Sequence, residues 1–423
     1  MSRLKRVLII AEAANPEWVS VPLVGWSLAT AIAAKCDAHI VTQVRNRDAF
    51  MRAGLIEGVD FTAIDSEAFA RPLWALGEKL RMGQGKGFTT LQVINALSYP
   101  YFERLIWQRF GAAIKAGEYD VVHRITPLSP TISSPLAAKC ARAGVPFILG
   151  PLNGGVPWPK GFDSERRRER EWLSYLRSAY KAMPGRKATL KYASAILTGS
   201  HHTASEVPAR YREKCIYLPE NGIDPARFTG RAAPPKDGPL RACFIGRMVP
   251  YKGPDMLLDA AAPLLASGAL EIEMIGDGPM LEPLKARGDQ GVTWRGWMAH
   301  EDVQSVLKTC HLLSFPSIRE FGGGVVLEAM ALGAVPLIVD YAGPGELVSD
   351  AWGMKVPLGR RDKIVDDFRA RLTALCKDHS ALPAMGDAAI SRVQSHFTWE
   401  RKAEQILQVY DWLENTGQAP RFF

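Results

Sequence analysis

Apolar runs of four to six residues recur along the chain, and most are followed by a stretch with apolar positions three and four apart. The first kind reads as a buried strand, the second as an amphipathic helix. Strands are expected at Arg6–Ala11, His39–Val44, Asp120–Arg124, Pro146–Leu149, Ala195–Thr198 and Cys215–Leu218. A second series follows at Arg241–Ile245, Glu271–Ile275, Val292–Arg295, Leu312–Phe315 and Val335–Val339. Helical segments such as Pro254–Ser267 and Glu301–Cys310 separate most of them. Such alternation predicts an α/β protein with parallel sheets covered by helices on both faces. The linker around Pro234-Pro235 divides the two series, so two doubly wound, Rossmann-like domains are expected, residues 1–232 and 233–399. The helix at about 400–423 is expected to return to the first domain. Strand carboxyl ends, where ligands bind in such sheets, should face a central cleft.

Two regions break the alternation. Residues 66–118 suggest two or three helices, with Phe69, Leu73, Leu76, Leu80 and later Leu105, Ile106 and Phe110 near helical spacing. Residues 164–192 open on the charge run Glu165–Glu171 and continue with Trp172, Leu173, Leu176 and Tyr180. That stretch reads either as a solvated helix or as a basic amphipathic face suited to an anionic leaflet.

Composition narrows the function classes. With 47% apolar and 23% charged residues, the 423-residue chain is globular rather than disordered. The longest uncharged stretch, Trp18–Ala34, is too short and too polar to span a membrane. Six scattered cysteines without a CxxC pair argue against a disulfide framework or a metal site, and a cytoplasmic protein is expected, either free or peripheral on the inner face of the plasma membrane. The net charge of +8 is uneven: residues 1–235 carry 32 Lys/Arg against 20 Asp/Glu, the remainder 20 against 24. A basic first half raises the alternative of a nucleic-acid-binding module. Its cations are spread over many segments and no recognised nucleic-acid motif accompanies them, so nucleic acid is not the expected partner.

Three strand ends of the second series carry candidate chemistry. After the strand at Leu312–Phe315 come Glu320, then Gly322, Gly323, Gly324 and Val325 opening a helix that contains Glu328. Glycines there let a ligand approach the backbone, and the helix N-terminus favours a diphosphate. Carboxylates suit sugar hydroxyls better than phosphate, so Glu320 and Glu328 are assigned to sugar and ribose. The loop Gly246–Gly253 offers Arg247 and Lys252 as cationic contacts to a leaving diphosphate. Gly276 and Gly278 lie at a third strand end.

In this combination the second half resembles the donor-binding domain of the GT-B glycosyltransferases of family 4, the retaining enzymes that use nucleotide sugars. Glu320 and Glu328 form the E-x7-E motif, with Gly246-Arg247, Lys252-Gly253 and Gly276-Asp277-Gly278-Pro279 as companions. Asn221-Gly222-Ile223-Asp224, with Phe228, and Phe397-Thr398-Trp399-Glu400 extend the likeness to about residues 195–412. One departure stands out: Glu320-Phe321-Gly322-Gly323 places the aromatic one position earlier than the common E-G-F-G.

The resemblance implies transfer of a hexose-type sugar from a nucleotide donor, with retention, to a glycan or lipid-linked glycan in cell-surface or exopolysaccharide biosynthesis. Glu320, His123, Arg247 and Lys252 would form the catalytic set, His123 facing the donor sugar. Acceptor-side candidates are Asn15, Trp18 and Gly25 after the first strand, and Asn153, Gly154 and Gly155 after a neighbouring one. No Asp-x-Asp occurs, so no metal and no cofactor beyond the donor are expected. A GT-B sugar-nucleotide epimerase or phosphorylase is the rival enzyme.

Overall fold

The computed structural model describes residues 5–68, 88–163, 166, 185–235, 237–415 and 417–423, without the side chains of 88–97 and 300. The chain divides into two compact units. The first takes the described residues of Met1–Gly155, Trp172–Glu220 and Trp399–Phe423, the second those of Val156–Glu171 and Asn221–Thr398.

Strands of the first unit are β1 (Arg6–Ala11), β2 (Asp37–Gln43), β3 (Phe61–Ile64), β4 (Val121–Thr126), β5 (Phe147–Leu152), β6 (Ala195–Thr198) and β7 (Cys215–Tyr217). They pair in the order β3-β2-β1-β4-β5-β6-β7, all parallel. In the second unit β8 (Leu240–Ile245), β9 (Leu270–Ile275), β10 (Val292–Gly296), β11 (Leu312–Phe315), β12 (Val335–Asp340) and β13 (Met354–Pro357) pair as β10-β9-β8-β11-β12-β13, again parallel. Each order reverses beside its first strand, at β1/β4 and at β8/β11, which places a ligand-binding crevice at those carboxyl ends.

The central strands are buried on both faces because helices cover both sides. In β1 every residue from Val7 to Ala11 is inaccessible, and β11 is equally enclosed. Such strands must be continuous apolar runs, which is why they stand out in the sequence. The strands β3 and β13 do not, being four-residue edges with half-exposed positions.

The first unit closes on the helix Trp399–Glu414, whose Ala403, Ile406, Val409 and Tyr410 enter the core around Leu28, Ile32 and Ile125. Lys35 pairs there with Glu400 at 2.6 Å and Glu404 at 3.3 Å. In the second unit Phe162 and Ile223 enter the core, and Ala232 N–H donates to Leu332 O at 2.7 Å. Residues 221–232 therefore pack with the second unit, before the Pro234-Pro235 pair where the boundary was expected.

The helix Phe88–Lys115 buries Ile106 and Phe110, while Phe69, Leu73, Leu76 and Leu80 lie outside the described residues. Most of the charge run and Trp172, Leu173, Leu176 and Tyr180 also lie outside them. Arg186, counted with that basic face, is 7% exposed and donates to Glu206 O at 3.3 Å, so it cannot meet a leaflet. Among the described residues, no helix is long and apolar enough to cross a membrane.

Candidate functional site

The loops leaving β8, β9 and β10 are stitched together by backbone hydrogen bonds. Gly246 N–H donates to Ile275 O at 3.0 Å, Met248 N–H to Asp277 O at 2.9 Å, and Gly276 N–H to Gly296 O at 2.7 Å. Gly276, at φ +130°, is obligatory: a Cβ there would lie 1.9 Å from Gly246 O. Beside them the β11 loop runs through Gly322 and Gly323 into the helix Gly324–Leu332, whose first turn carries no acidic side chain. Its opening N–H groups and dipole therefore present uncompensated positive potential. Asn221 stands next to Gly324, within 3.7 Å of where a side chain would begin.

The β8 and β11 loops are joined through one carbonyl. Tyr251 O accepts from Ile318 N–H at 3.0 Å and from Ser317 Oγ at 3.2 Å. This brings Lys252 Nζ into contact with a Glu320 carboxylate oxygen, the side chains being 15% and 17% exposed. Burial and the neighbouring Arg247 guanidinium push Lys252 down to about 7, while the carboxylate in contact pulls the other way. Arg247 itself is exposed, and Glu328 is half-buried in the second turn of the helix. Gly246, Arg247, Lys252, Gly276, Gly278, Glu320, Gly322–Val325 and Glu328 thus share one sheet edge. Among the described residues no group of three His, Cys, Asp or Glu is placed to hold a metal ion.

Two further residues at this edge lie outside the candidates read from the sequence. Arg319, next to Glu320, is 8% exposed, and its Nε donates to Val156 O at 3.0 Å. Trp297, directly after β10, is 76% exposed, a costly position for an indole and the most exposed large apolar side chain described. A Trp after a strand end, preceded by Gly296, was the available hint.

The first-unit candidates divide differently. His123 lies inside β4, fully buried, with Nε2 at 2.7 Å from Gly150 O and Nδ1 at 2.7 Å from Tyr410 Oη. A carbonyl only accepts, so Nε2 carries the proton and Nδ1 accepts from the tyrosine. Burial pushes the imidazole down to about 4, so it is neutral at physiological pH. This corrects the expectation that His123 faces a sugar: both ring nitrogens are taken, and the side chain ties the sheet to the last helix. Tyr410→Phe would leave the buried Nδ1 without a donor and should cost about 1–3 kcal/mol of stability, read as a lower urea midpoint.

After β5, Asn153 donates to the buried Glu220, Gly154 N–H to Thr203 Oγ1 at 3.0 Å and Gly155 N–H to Asn153 Oδ1 at 3.2 Å. After β1, Asn15 is buried and accepts from Glu17 N–H at 2.9 Å, while Trp18 is 45% exposed. Gly25 serves packing rather than presentation, because a Cβ there would sit 2.1 Å from Ala13 O.

Residues 239–378 match the family model described as glycosyl transferases group 1. D-inositol 3-phosphate glycosyltransferase of Rhodococcus opacus (strain B4) is 30% identical over 198 residues, 43% of this chain and 43% of that protein. A GDP-mannose-dependent monoacylated alpha-(1-6)-phosphatidylinositol monomannoside mannosyltransferase of Corynebacterium glutamicum is 28% identical over 235 residues, 50% of this chain and 57% of that one. The matches span about half the length of these curated relatives. Among solved structures, the lipopolysaccharide outer core galactosyltransferase WaaB superposes with a TM-score of 0.61 at 17% identity, covering 97% of this chain and all of that one. HepE of Anabaena, in complex with UDP and glucose, gives 0.56 at 14% identity over 96% and 99% of the two chains. At such identities these structures establish a shared fold.

Proposed function

We propose, from the match of residues 239–378 to the group 1 glycosyl transferases and from the GT-B fold, that the whole protein transfers a hexose-type sugar from a nucleoside-diphosphate donor to a hydroxyl of a glycan or lipid-linked glycan. The observation that carries the reading is the convergence of Lys252, Glu320 and a helix N-terminus at the β8/β11 switch point. A cation and free N–H groups suit the diphosphate; a carboxylate beside them suits sugar hydroxyls.

In this reading Glu320 orients the sugar and Glu328 holds the ribose. Trp297, exposed beside the Gly276 loop, offers a face for the base. The anomeric C–O bond breaks with its electron pair going to the diphosphate oxygen, whose charge Lys252 and Arg247 stabilise. The acceptor hydroxyl attacks the face the leaving group has just left, giving retention, and its proton passes to a phosphate oxygen. With cations and amides in place around the diphosphate, no metal is required. The pathway proposed is cell-surface or exopolysaccharide synthesis. The mannosyltransferase of Corynebacterium glutamicum and the lipopolysaccharide galactosyltransferase carry names consistent with such acceptors.

The test is a thermal-shift panel of UDP-, GDP- and ADP-sugars in excess EDTA, followed by sugar transfer from the stabilising donor. One nucleotide class should raise the melting temperature, since a ligand at 100 times its Kd adds about 2.7 kcal/mol to the native state. Turnover should persist in EDTA. No shift with any donor, or formation of a new sugar nucleotide without acceptor, would replace this reading with another.

A further inference from the structure

We infer that the segment Val156–Phe162 acts as a strap that positions Glu320 through Arg319; the inference rests on the reading of Glu320 as the sugar-binding carboxylate. The strap is anchored along its length within the second unit. Phe162, 1% exposed, enters the core, and Tyr341 Oη donates to Pro157 O at 2.9 Å. Trp158 meets Tyr251, the neighbour of Lys252, edge to face at 6.2 Å between centroids.

Arg319 is where the strap engages the site. A buried guanidinium is costly unless its donors and its faces are occupied. Its Nε donates to Val156 O, and its carbon lies 5.2 Å from the Trp158 ring and 5.6 Å from the Phe321 ring. The residues on both sides of Glu320 are therefore held by one cation and two aromatic rings. Glu320 O also accepts from Gly343 N–H at 3.3 Å. The aromatic placed one position early in this motif, Phe321, has its role here: it contacts the Arg319 guanidinium.

A carboxylate in contact with Lys252 has a competing partner whenever no sugar is bound. Fixing its backbone limits how far it can follow the lysine. Misplacement by about 1 Å can cost a factor of about 10² in rate. Trp158 is thus a positioning residue, and the larger part of its effect should pass through Arg319 to Glu320 rather than through its edge contact with Tyr251.

The experiment is a double-mutant cycle of Trp158→Ala and Glu320→Gln, read as kcat for donor turnover. It is run beside affinity for UDP, GDP or ADP, whichever stabilises the wild type. Trp158→Ala should lower kcat about 10- to 100-fold and leave free-nucleotide Kd within about twofold. In the Glu320→Gln background the same change should cost less than about threefold. Trp158→Phe should recover most of the rate. Equal losses in both backgrounds, or loss of nucleotide affinity together with rate, would overturn the strap. Wild-type kcat in Glu320→Gln alone would instead remove the role assigned to Glu320, and the inference with it.

Discussion

Replacing Lys252 by alanine should lower kcat/KM by about 10²–10³, the loss of about 2.7–4 kcal/mol typical of removing one preorganised donor from a developing oxyanion. The variant also leaves Glu320 without the cation it contacts, so the carboxylate's charge would be uncompensated beside the proposed diphosphate. Arg247→Ala should cost less, because that side chain is exposed and water screens it. The fold should survive both, since neither residue belongs to the buried core of the second unit. The lysine also sets a pH dependence. With its ammonium pushed down to about 7, free nucleoside diphosphate meets a progressively neutral lysine as pH rises. Affinity should fall through that range by up to about tenfold per pH unit until binding itself retains the proton. For stability the sign is opposite. Between about 7 and 10.5 the unfolded chain binds more protons at this position than the folded one, so stability rises with pH, and Lys252→Ala flattens that rise. Calorimetric titration between pH 6 and 9 reads the first effect and urea unfolding the second. Unchanged kcat/KM and pH-independent affinity would remove Lys252 from the site.

The parts legible in the sequence are those whose information is local. The strand Leu312–Phe315 appears where its apolar run places it, because burial on both faces demands continuous apolar residues. Phe61–Ile64 and Met354–Pro357 carry no such signal because these short edge strands bury only some of their positions. The eight-residue step from Glu320 to Glu328 is likewise local, spanning one turn and the first helical residues. What the sequence could not display are contacts made across it. Lys252 and Glu320 are 68 positions apart and meet only because Tyr251 O joins two loops. Arg319 finds Val156 at a separation of 163. His123 shows the converse. Its flanking Val121 and Val122 signalled a buried strand, and the partner that explains it, Tyr410, lies 287 residues away on the last helix.

Glu328→Gln and Glu320→Gln should separate the two carboxylates. A ribose offers hydroxyl donors whether or not a sugar is attached, so a group bound to ribose contributes to affinity for the free nucleoside diphosphate. Hydrogen bonds to a charged acceptor are worth about 1.5–3 kcal/mol. Glu328→Gln should therefore weaken free nucleotide about 10- to 100-fold, and donor KM should rise in step. Glu320→Gln removes a charge that, in the proposed reading, meets the transferred sugar but no part of the free nucleotide. It should leave free-nucleotide affinity unchanged or slightly tighter, since the variant no longer neutralises Lys252 before the diphosphate arrives. Its cost should fall on kcat, because a carboxylate orienting the sugar acts as positive charge develops at the anomeric carbon. Titration calorimetry with the free nucleotide, alongside steady-state kinetics with the intact donor, distinguishes the two patterns. If Glu320→Gln lost the free nucleotide while Glu328→Gln kept it, the two roles would be exchanged, with the diphosphate still held between Lys252 and the helix at Gly324.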